Sequence, residues 1–174
     1  MSLFYVTGIA GAGKSEVYHE LKNRGHEVYG TDENQFAGFY NNQTNERVDN
    51  PSDHGGQITA AWREYHTWKL PRKTVEDLKD KSKGKNVFLC GVASNDTEFL
   101  DLFDKLFALI IDNETLHHRI TSRTNNSFGK NEGELDQIKA WQANTAEYYD
   151  KYSYITIDAS QPIKTVVDDI LMQV

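Results

Sequence analysis

Gly8-Ile9-Ala10-Gly11-Ala12-Gly13-Lys14-Ser15 fits the pattern G-x-x-x-x-G-K-[S/T] of a phosphate-binding P-loop. Average composition yields that pattern by chance in under about one chain of this length in a hundred. The setting weighs more than the odds. Leu3-Phe4-Tyr5-Val6 leads in as an apolar run, as a buried strand would. Lys14 to Arg24 leads out with Val17 and Leu21 four residues apart, as a helix would. Strand, glycine-rich turn and helix is the order the chemistry requires. Backbone N–H groups around Gly8, Gly11, Ala12 and Gly13, with the open end of the helix, can surround a polyphosphate. Lys14 adds a point charge at the outer phosphates, and the Ser15 hydroxyl can hold Mg²⁺.

The composition bounds what such a chain can be. Its 174 residues suffice for one domain, taken as 1–174. At 38% hydrophobic and 26% charged residues it has the make-up of a folded globular protein rather than a disordered one. The net charge of −7 argues against a nucleic-acid partner, which would call for a basic face. A local phosphate site remains compatible with that charge, because backbone dipoles and a few cations build it. The single Cys90 excludes an intrachain disulfide and a cysteine-rich metal site. No apolar run approaches the ~18 residues of a membrane span. Met1-Ser2-Leu3 leads straight into the first strand, so the expected compartment is cytoplasmic and no membrane is implied.

The rest of the chain alternates between strand and helix patterns. His26-Glu27-Val28-Tyr29 reads as a second strand running into Gly30-Thr31-Asp32-Glu33. Ligands gather at the carboxyl ends of strands in open α/β sheets, which puts Asp32 on the P-loop side. Asp32 can also cap a helix over 33–40. Residues 41–56 read as a long polar loop carrying Arg47; its Asp53-His54-Gly55-Gly56 lacks the preceding strand that a GTPase motif needs, and no N-K-x-D occurs. Trp62, Tyr65, His66 and Lys69 are spaced as on a helix over 57–69, with Arg63 beside them, and Pro71 separates a second helix over 72–81. Asn86-Val87-Phe88-Leu89-Cys90 is a buried strand, followed by Gly91, where backbone and ligand can approach closely. Asp96 can cap a short helix to Phe103. Leu106 to Ile111 is a further buried strand.

Asn113 to Arg123 is helical and sets Arg119 and Arg123 on one face. The polar stretch 124–133 separates two helices as a short lid would. Glu132 to Tyr152 is a long helix with Leu135, Ile138, Trp141, Tyr148 and Tyr152 on its apolar side. Tyr154-Ile155-Thr156-Ile157 is a last strand, and Asp158-Ala159-Ser160-Gln161-Pro162 turns into a final helix. Five apolar strands alternating with helices imply an α/β, three-layer fold: a parallel sheet with helices on both faces.

In these features the chain resembles the adenylate kinase and shikimate kinase group of small P-loop kinases. The resemblance implies a five-stranded parallel sheet of order 2-3-1-4-5, an acceptor-binding segment over about 33–81, and a lid over about 124–133. It implies that Gly8, Gly11, Ala12, Gly13, Lys14 and Ser15 hold the phosphates of ATP, with Ser15 on Mg²⁺. It also implies that Arg119 lies against the adenine, that Arg123 contacts phosphates as the lid closes, and that Asp158 to Gln161, Ser160 included, contact the base edge. A guanidinium suits both arginine roles, since it stacks on rings and pairs with phosphate oxygens.

The departures are informative. Adenylate kinases carry Asp-Gly after the third strand, where this chain has Cys90-Gly91. Shikimate kinase-like enzymes place an acid after the second strand, which falls on Asp32, as metal ligand or orienter of the acceptor hydroxyl. The glycine triplet of shikimate kinases after strand three is absent, which argues against shikimate. Acceptor contacts then fall to Asp32, Gly91 and the cations Arg63 and Arg47, Arg63 preferred. The expected reaction moves the γ-phosphoryl group of ATP to a hydroxyl of a nucleoside or other small metabolite, with Lys14, Asp32, Arg119 and Arg123 catalytic. Transfer to a nucleoside monophosphate, slow ATP hydrolysis by a regulatory module, and phosphorylation of polynucleotide ends stay open beside it, the last disfavoured by the acidic balance. Monomer and homodimer are both compatible with the sequence.

Overall fold

The six residues Leu3–Gly8 form the central strand, β1, and every one of them is buried. Alternation along β1 divides them between two cores. Phe4 and Val6 point to one face of the sheet, Leu3 and Tyr5 to the other. A strand covered on both faces must read as a continuous apolar run, which is how this one reads. In the computed structural model, residues 1–56, 58–122, 124, 129–130 and 133–174 are described.

Around β1 the chain builds a five-stranded parallel sheet from β2 (Glu27–Gly30), β6 (Val87–Cys90), β7 (Lys105–Ile110) and β8 (Ile155–Asp158), in the spatial order β2-β6-β1-β7-β8. Counted among the parallel strands alone this is 2-3-1-4-5, the order expected. Tyr5 lies opposite Leu89 on one side and Leu106 on the other. One face carries α1 (Lys14–Asn23), α4 (Asn113–Ser122) and α6 (Ile163–Leu171), packed on Phe4, Phe88, Phe107 and Leu109 through Val17, Leu21, Leu116, Ile120, Val167 and Ile170. The opposite face carries α3 (Arg72–Lys81) through Val75 and Leu78, Phe99 after β6, and Tyr149 of α5 (Glu134–Lys151). Rings interlock across the strands, with Phe4 and Phe88 centroids 5.0 Å apart. None of the described helices is long and apolar enough to cross a membrane.

A second sheet departs from expectation. Residues 33–40 form a turn and a strand in place of a helix. Gln35 adopts a left-handed φ of 55°, which stops any helix there, and β3 (Gly38–Asn41) follows. The polar stretch after it is partly ordered as the two-residue strand β4 (Arg47–Val48) and a 3₁₀ turn over Pro51–His54. The helix expected over 57–69 shortens to α2 (Ala60–Tyr65), capped by the Thr59 hydroxyl on the Trp62 amide at 3.1 Å. His66–Lys69 is instead β5, antiparallel to β3. The aromatic and β-branched run His66-Thr67-Trp68 favours a strand. Packing completes the choice: Phe39 of β3 meets Trp62 at 4.7 Å and Trp68 at 4.9 Å between ring centroids. The order β4-β3-β5 thus makes a small antiparallel sheet within the segment 33–81. Trp68 ties it to the main sheet by donating its indole N–H to the Val92 carbonyl at 3.1 Å. The short helix expected from Asp96 to Phe103 is two 3₁₀ turns, Asp96–Glu98 and Leu100–Leu102.

Candidate active site

The P-loop leaves the carboxyl end of β1 and turns into α1 at Gly13, whose φ of 98° is left-handed and suits glycine alone. Gly13 brings no side chain to cap the helix, so the amides of the first turn stay open to an anion. Gly8 ends β1, and Ala12 is buried beneath the loop, its N–H donating to the Ile9 carbonyl at 3.1 Å. Gly11 lies against Leu116 and Ile120 of α4. The Lys14 ammonium crosses back over the loop and donates to the carbonyls of Gly8 at 2.8 Å and Ile9 at 2.9 Å. Ser15 is exposed at the first turn of α1.

Asp32 stands beside this loop. Thr31 extends β2 by donating its N–H to the Cys90 carbonyl at 2.9 Å, and Gly91 donates to the Val6 carbonyl at 3.0 Å. The ends of β2, β6 and β1 are therefore laced together, and Asp32 follows directly. With no helix over 33–40, its carboxylate caps nothing. It accepts from the Thr31 hydroxyl at 3.1 Å. Desolvation by the surrounding chain raises the Asp32 carboxyl above the ordinary carboxylate value, opposed by the Thr31 hydroxyl and the nearby Lys14 charge. The charge on Lys14 also reaches Cys90, whose buried thiol is pushed up by desolvation. Lys14, Asp32 and the Cys90–Gly91 step thus share one neighbourhood.

Gly91 is fixed there by space as well as by angle. Its φ is 153°, and a Cβ would fall 2.0 Å from the Thr31 hydroxyl oxygen. Gly91→Ala is expected to cost about 2–4 kcal/mol through strain and overpacking. Thermal denaturation measures it; a variant melting within about 2 °C of wild type would contradict this packing.

Arg119 lies on the other side of the loop. Asp112 stands just before α4, where its carboxylate accepts from the Thr115 amide at 2.8 Å, and Leu116 and Ile120 bury one stripe of the helix. That leaves Arg119 at the edge, donating to the Ala159 carbonyl at 2.8 Å and, at 3.5 Å, to that of Ala12. Ala12, Gly13, Arg119, Ala159, Gln161 and Ile163 line one small groove. The turn after β8 is held by its own side chains. Asp158 accepts from the Ser160 amide at 2.9 Å, and its carboxyl is lowered chiefly by that bond. The Ser160 hydroxyl donates to Asp112 at 2.9 Å, which joins this turn to the start of α4. Sequence reasoning missed Asp112; an acid between an apolar strand and a helix was the available signal.

Of the two candidate acceptor cations, Arg47 is on β4 of the small sheet and Arg63 is on α2, which packs against it. Arg47 donates to the backbone carbonyls of Gln35 at 3.2 Å and Ala37 at 3.0 Å, bracing the turn that follows Asp32. The Arg63 guanidinium lies 6.0 Å from the centre of the Phe39 ring. Arg123 and most of 124–133 lie outside the described residues.

For Mg²⁺ the donor set is small. Among the described residues no three His, Cys, Asp or Glu side chains gather as a metal cage. An ion held by one carboxylate, one hydroxyl and nucleotide phosphates is a pattern Mg²⁺ favours, and Asp32 and Ser15 carry those two donor types.

No protein-family model matches the sequence, and no curated protein matches it. Solved structures do. The chain is similar to a shikimate kinase from Bacteroides thetaiotaomicron, at 19% identity and a TM-score of 0.62 over 99% of both chains. It is similar to a sugar kinase from Janibacter sp., at 16% identity and a TM-score of 0.59 over 99% of this chain and 93% of that one. It is also similar to a deoxyadenosine kinase from M. mycoides, at 15% identity and a TM-score of 0.55 over 98% of this chain and 97% of the other. At these identities the likeness establishes the fold alone, the one that these three structures share.

Proposed function

We propose that this chain is an ATP-dependent phosphotransferase that moves the γ-phosphoryl group to a hydroxyl of a small molecule. The observation that carries this reading is that Asp32, on the turn after β2, lies within electrostatic reach of Lys14, on the P-loop that follows β1. A cationic donor for phosphate and a carboxylate for a hydroxyl proton are the two groups that such a transfer needs within reach of each other. The groove between Arg119 and the Asp158–Gln161 turn would take the nucleotide base, with Ser160 keeping that turn in place. The open amides of the first turn of α1 would hold the phosphates. Bound Mg²⁺ would neutralise phosphate charge, held by Ser15 and, in the other role open to its carboxylate, by Asp32.

The division of labour follows from the chemistry. Lys14 would exchange its two loop carbonyls for phosphate oxygens, and its charge would stabilise negative charge spread over the transferring group. Asp32 would orient the acceptor hydroxyl and take its proton as the O–P bond forms. Arg123 would add charge at the phosphates, and exclusion of water from the occupied site would remove the competing acceptor. Arg63 and Arg47 belong to the acceptor segment 33–81, Arg47 by bracing the turn that carries Asp32.

An ADP-release assay tests the reading, run over nucleosides, nucleoside monophosphates, sugars and hydroxy acids. At least one compound is expected to accelerate ADP formation and to leave with the phosphate. Stimulation by a monophosphate and not by its nucleoside would move the acceptor to phosphate. A basal ATPase that no compound accelerates would overturn phosphotransfer.

A further inference from the structure

Glu16 is an acid at the end of α1 that is open to phosphate. It stands in the first turn of the helix, directly after Ser15. A carboxylate there suits the helix dipole, yet it repels the polyphosphate that the same amides would hold. Its direction is specific. The side chain turns back over the loop, and Oε2 lies 3.3 Å from the point where a Gly13 Cβ would stand. Arg119 Nη1 lies 3.3 Å from that same point. The two charges flank Gly13 without pairing, because the guanidinium donates to the Ala159 and Ala12 carbonyls. Glu16 is exposed, and among the described residues none donates a hydrogen bond to its carboxylate or forms an ion pair with it. It lines the groove together with Gly13, Arg119 and Ala159, and of the described lining residues it alone is acidic.

The covalent order of a nucleotide decides what passes this point. The sugar joins the base to the α-phosphate. With the base between Arg119 and the Asp158–Gln161 turn, and the phosphates on the first turn of α1, the sugar crosses the groove beside Glu16. Ribose brings two neighbouring hydroxyls, each a donor. A carboxylate has two oxygens that only accept, and it can take both hydroxyls at once. Those two bonds offset the repulsion between the carboxylate and the phosphates. A sugar without the hydroxyls meets the repulsion alone, so the same group attracts one nucleotide and disfavours the other.

We infer that Glu16 holds the ribose of the phosphoryl donor through its 2′- and 3′-hydroxyls and selects ribonucleoside over deoxyribonucleoside triphosphates. The inference rests on the nucleotide side of the phosphotransfer reading and adds the sugar to it. Glu16 acts on the strength of donor binding, and the acceptor end of the site is left as it was.

The test uses the whole chain with Mg²⁺ and compares ATP, 2′-deoxy-ATP and 2′,3′-dideoxy-ATP. Binding is read by isothermal titration calorimetry and turnover by ADP release, for wild type, Glu16→Ala and Glu16→Gln. Wild type is expected to bind ATP at least tenfold tighter than the dideoxy nucleotide, with 2′-deoxy-ATP between them, since a hydrogen bond to a charged acceptor is worth about tenfold or more. Glu16→Ala is expected to weaken ATP about tenfold and to bind dideoxy-ATP as tightly as wild type or tighter, so that the two converge within threefold. Glu16→Gln keeps the length without the charge, is expected to reduce the preference at least threefold, and stands in should Glu16→Ala fold poorly. Wild type binding ATP and dideoxy-ATP within threefold, Glu16→Ala tightening both alike, or the full preference surviving in both variants would each overturn the inference. A preference that depends on Glu16, with no acceptor-stimulated ADP, would keep the sugar contact and remove phosphotransfer. Acceptor-stimulated ADP with equal KM for ATP and dideoxy-ATP would keep phosphotransfer and remove the sugar contact. Binding of none of the three nucleotides would remove both.

Discussion

Lys14→Ala is expected to lower acceptor-stimulated ADP formation about 10³-fold, a loss of about 4 kcal/mol of transition-state stabilisation. The ammonium is the one side-chain cation that the P-loop itself carries, and it already sits on the loop carbonyls of Gly8 and Ile9. Removing it deletes two hydrogen bonds as well, at about 1 kcal/mol each. A domain of this size then melts roughly 4–8 °C lower. Rate and stability should therefore separate widely: a protein that is folded at 25 °C by circular dichroism, yet nearly without turnover. Transfer at the wild-type rate would remove Lys14 from the mechanism. A variant that unfolds at 25 °C would show that its loop contacts serve the fold first.

The part of the molecule around Lys14 was legible because its constraints are local and strong. A parallel strand buried on both faces reads as a near-continuous apolar run, so Leu3 to Val6 and Leu106 to Leu109 announce themselves. The small sheet was not legible, for two reasons. The left-handed Gln35 that ends any helix is a backbone property, invisible to hydrophobic spacing. The spacing of Trp62, Tyr65, His66 and Lys69 fits a helix, yet the contacts of Phe39 with Trp62 and Trp68 join residues more than twenty positions apart. Local pattern carries no record of such contacts.

The site divides in the same way. Glycines, Lys14 and Ser15 sit at fixed spacing, and Asp32 follows from a strand end. Arg47 was picked out for its charge, whereas its guanidinium serves the backbone of its own chain.

Asp32→Asn should separate the two ends of the reaction. Transfer is expected to fall about 10²- to 10³-fold, in the range of a lost general base, while the KM for ATP changes less than threefold. Stability should move the other way. The Asp32 carboxyl is raised in the folded chain, so the fold favours its protonated form. That contribution is full below the ordinary aspartate value near 3.9 and is lost as pH rises through the raised folded value. At neutral pH the ionised carboxylate is a net cost to folding that Asn does not carry, and Asn can still accept from the Thr31 hydroxyl. Asp32→Asn is therefore expected to melt no lower than wild type at pH 7 and to lose that advantage near pH 4. Turnover by wild type should climb with pH through the raised value, and the variant should lack that limb. A Mg²⁺ titration tells the two roles of the carboxylate apart. An Asp32 that takes the hydroxyl proton leaves the Mg²⁺ requirement of the variant unchanged, and one that holds the metal raises it severalfold. Equal losses of ATP binding and transfer would sink the acceptor role. A fall in melting temperature at pH 7 would show instead that the carboxylate braces the ends of β2 and β6, with catalysis resting on another group.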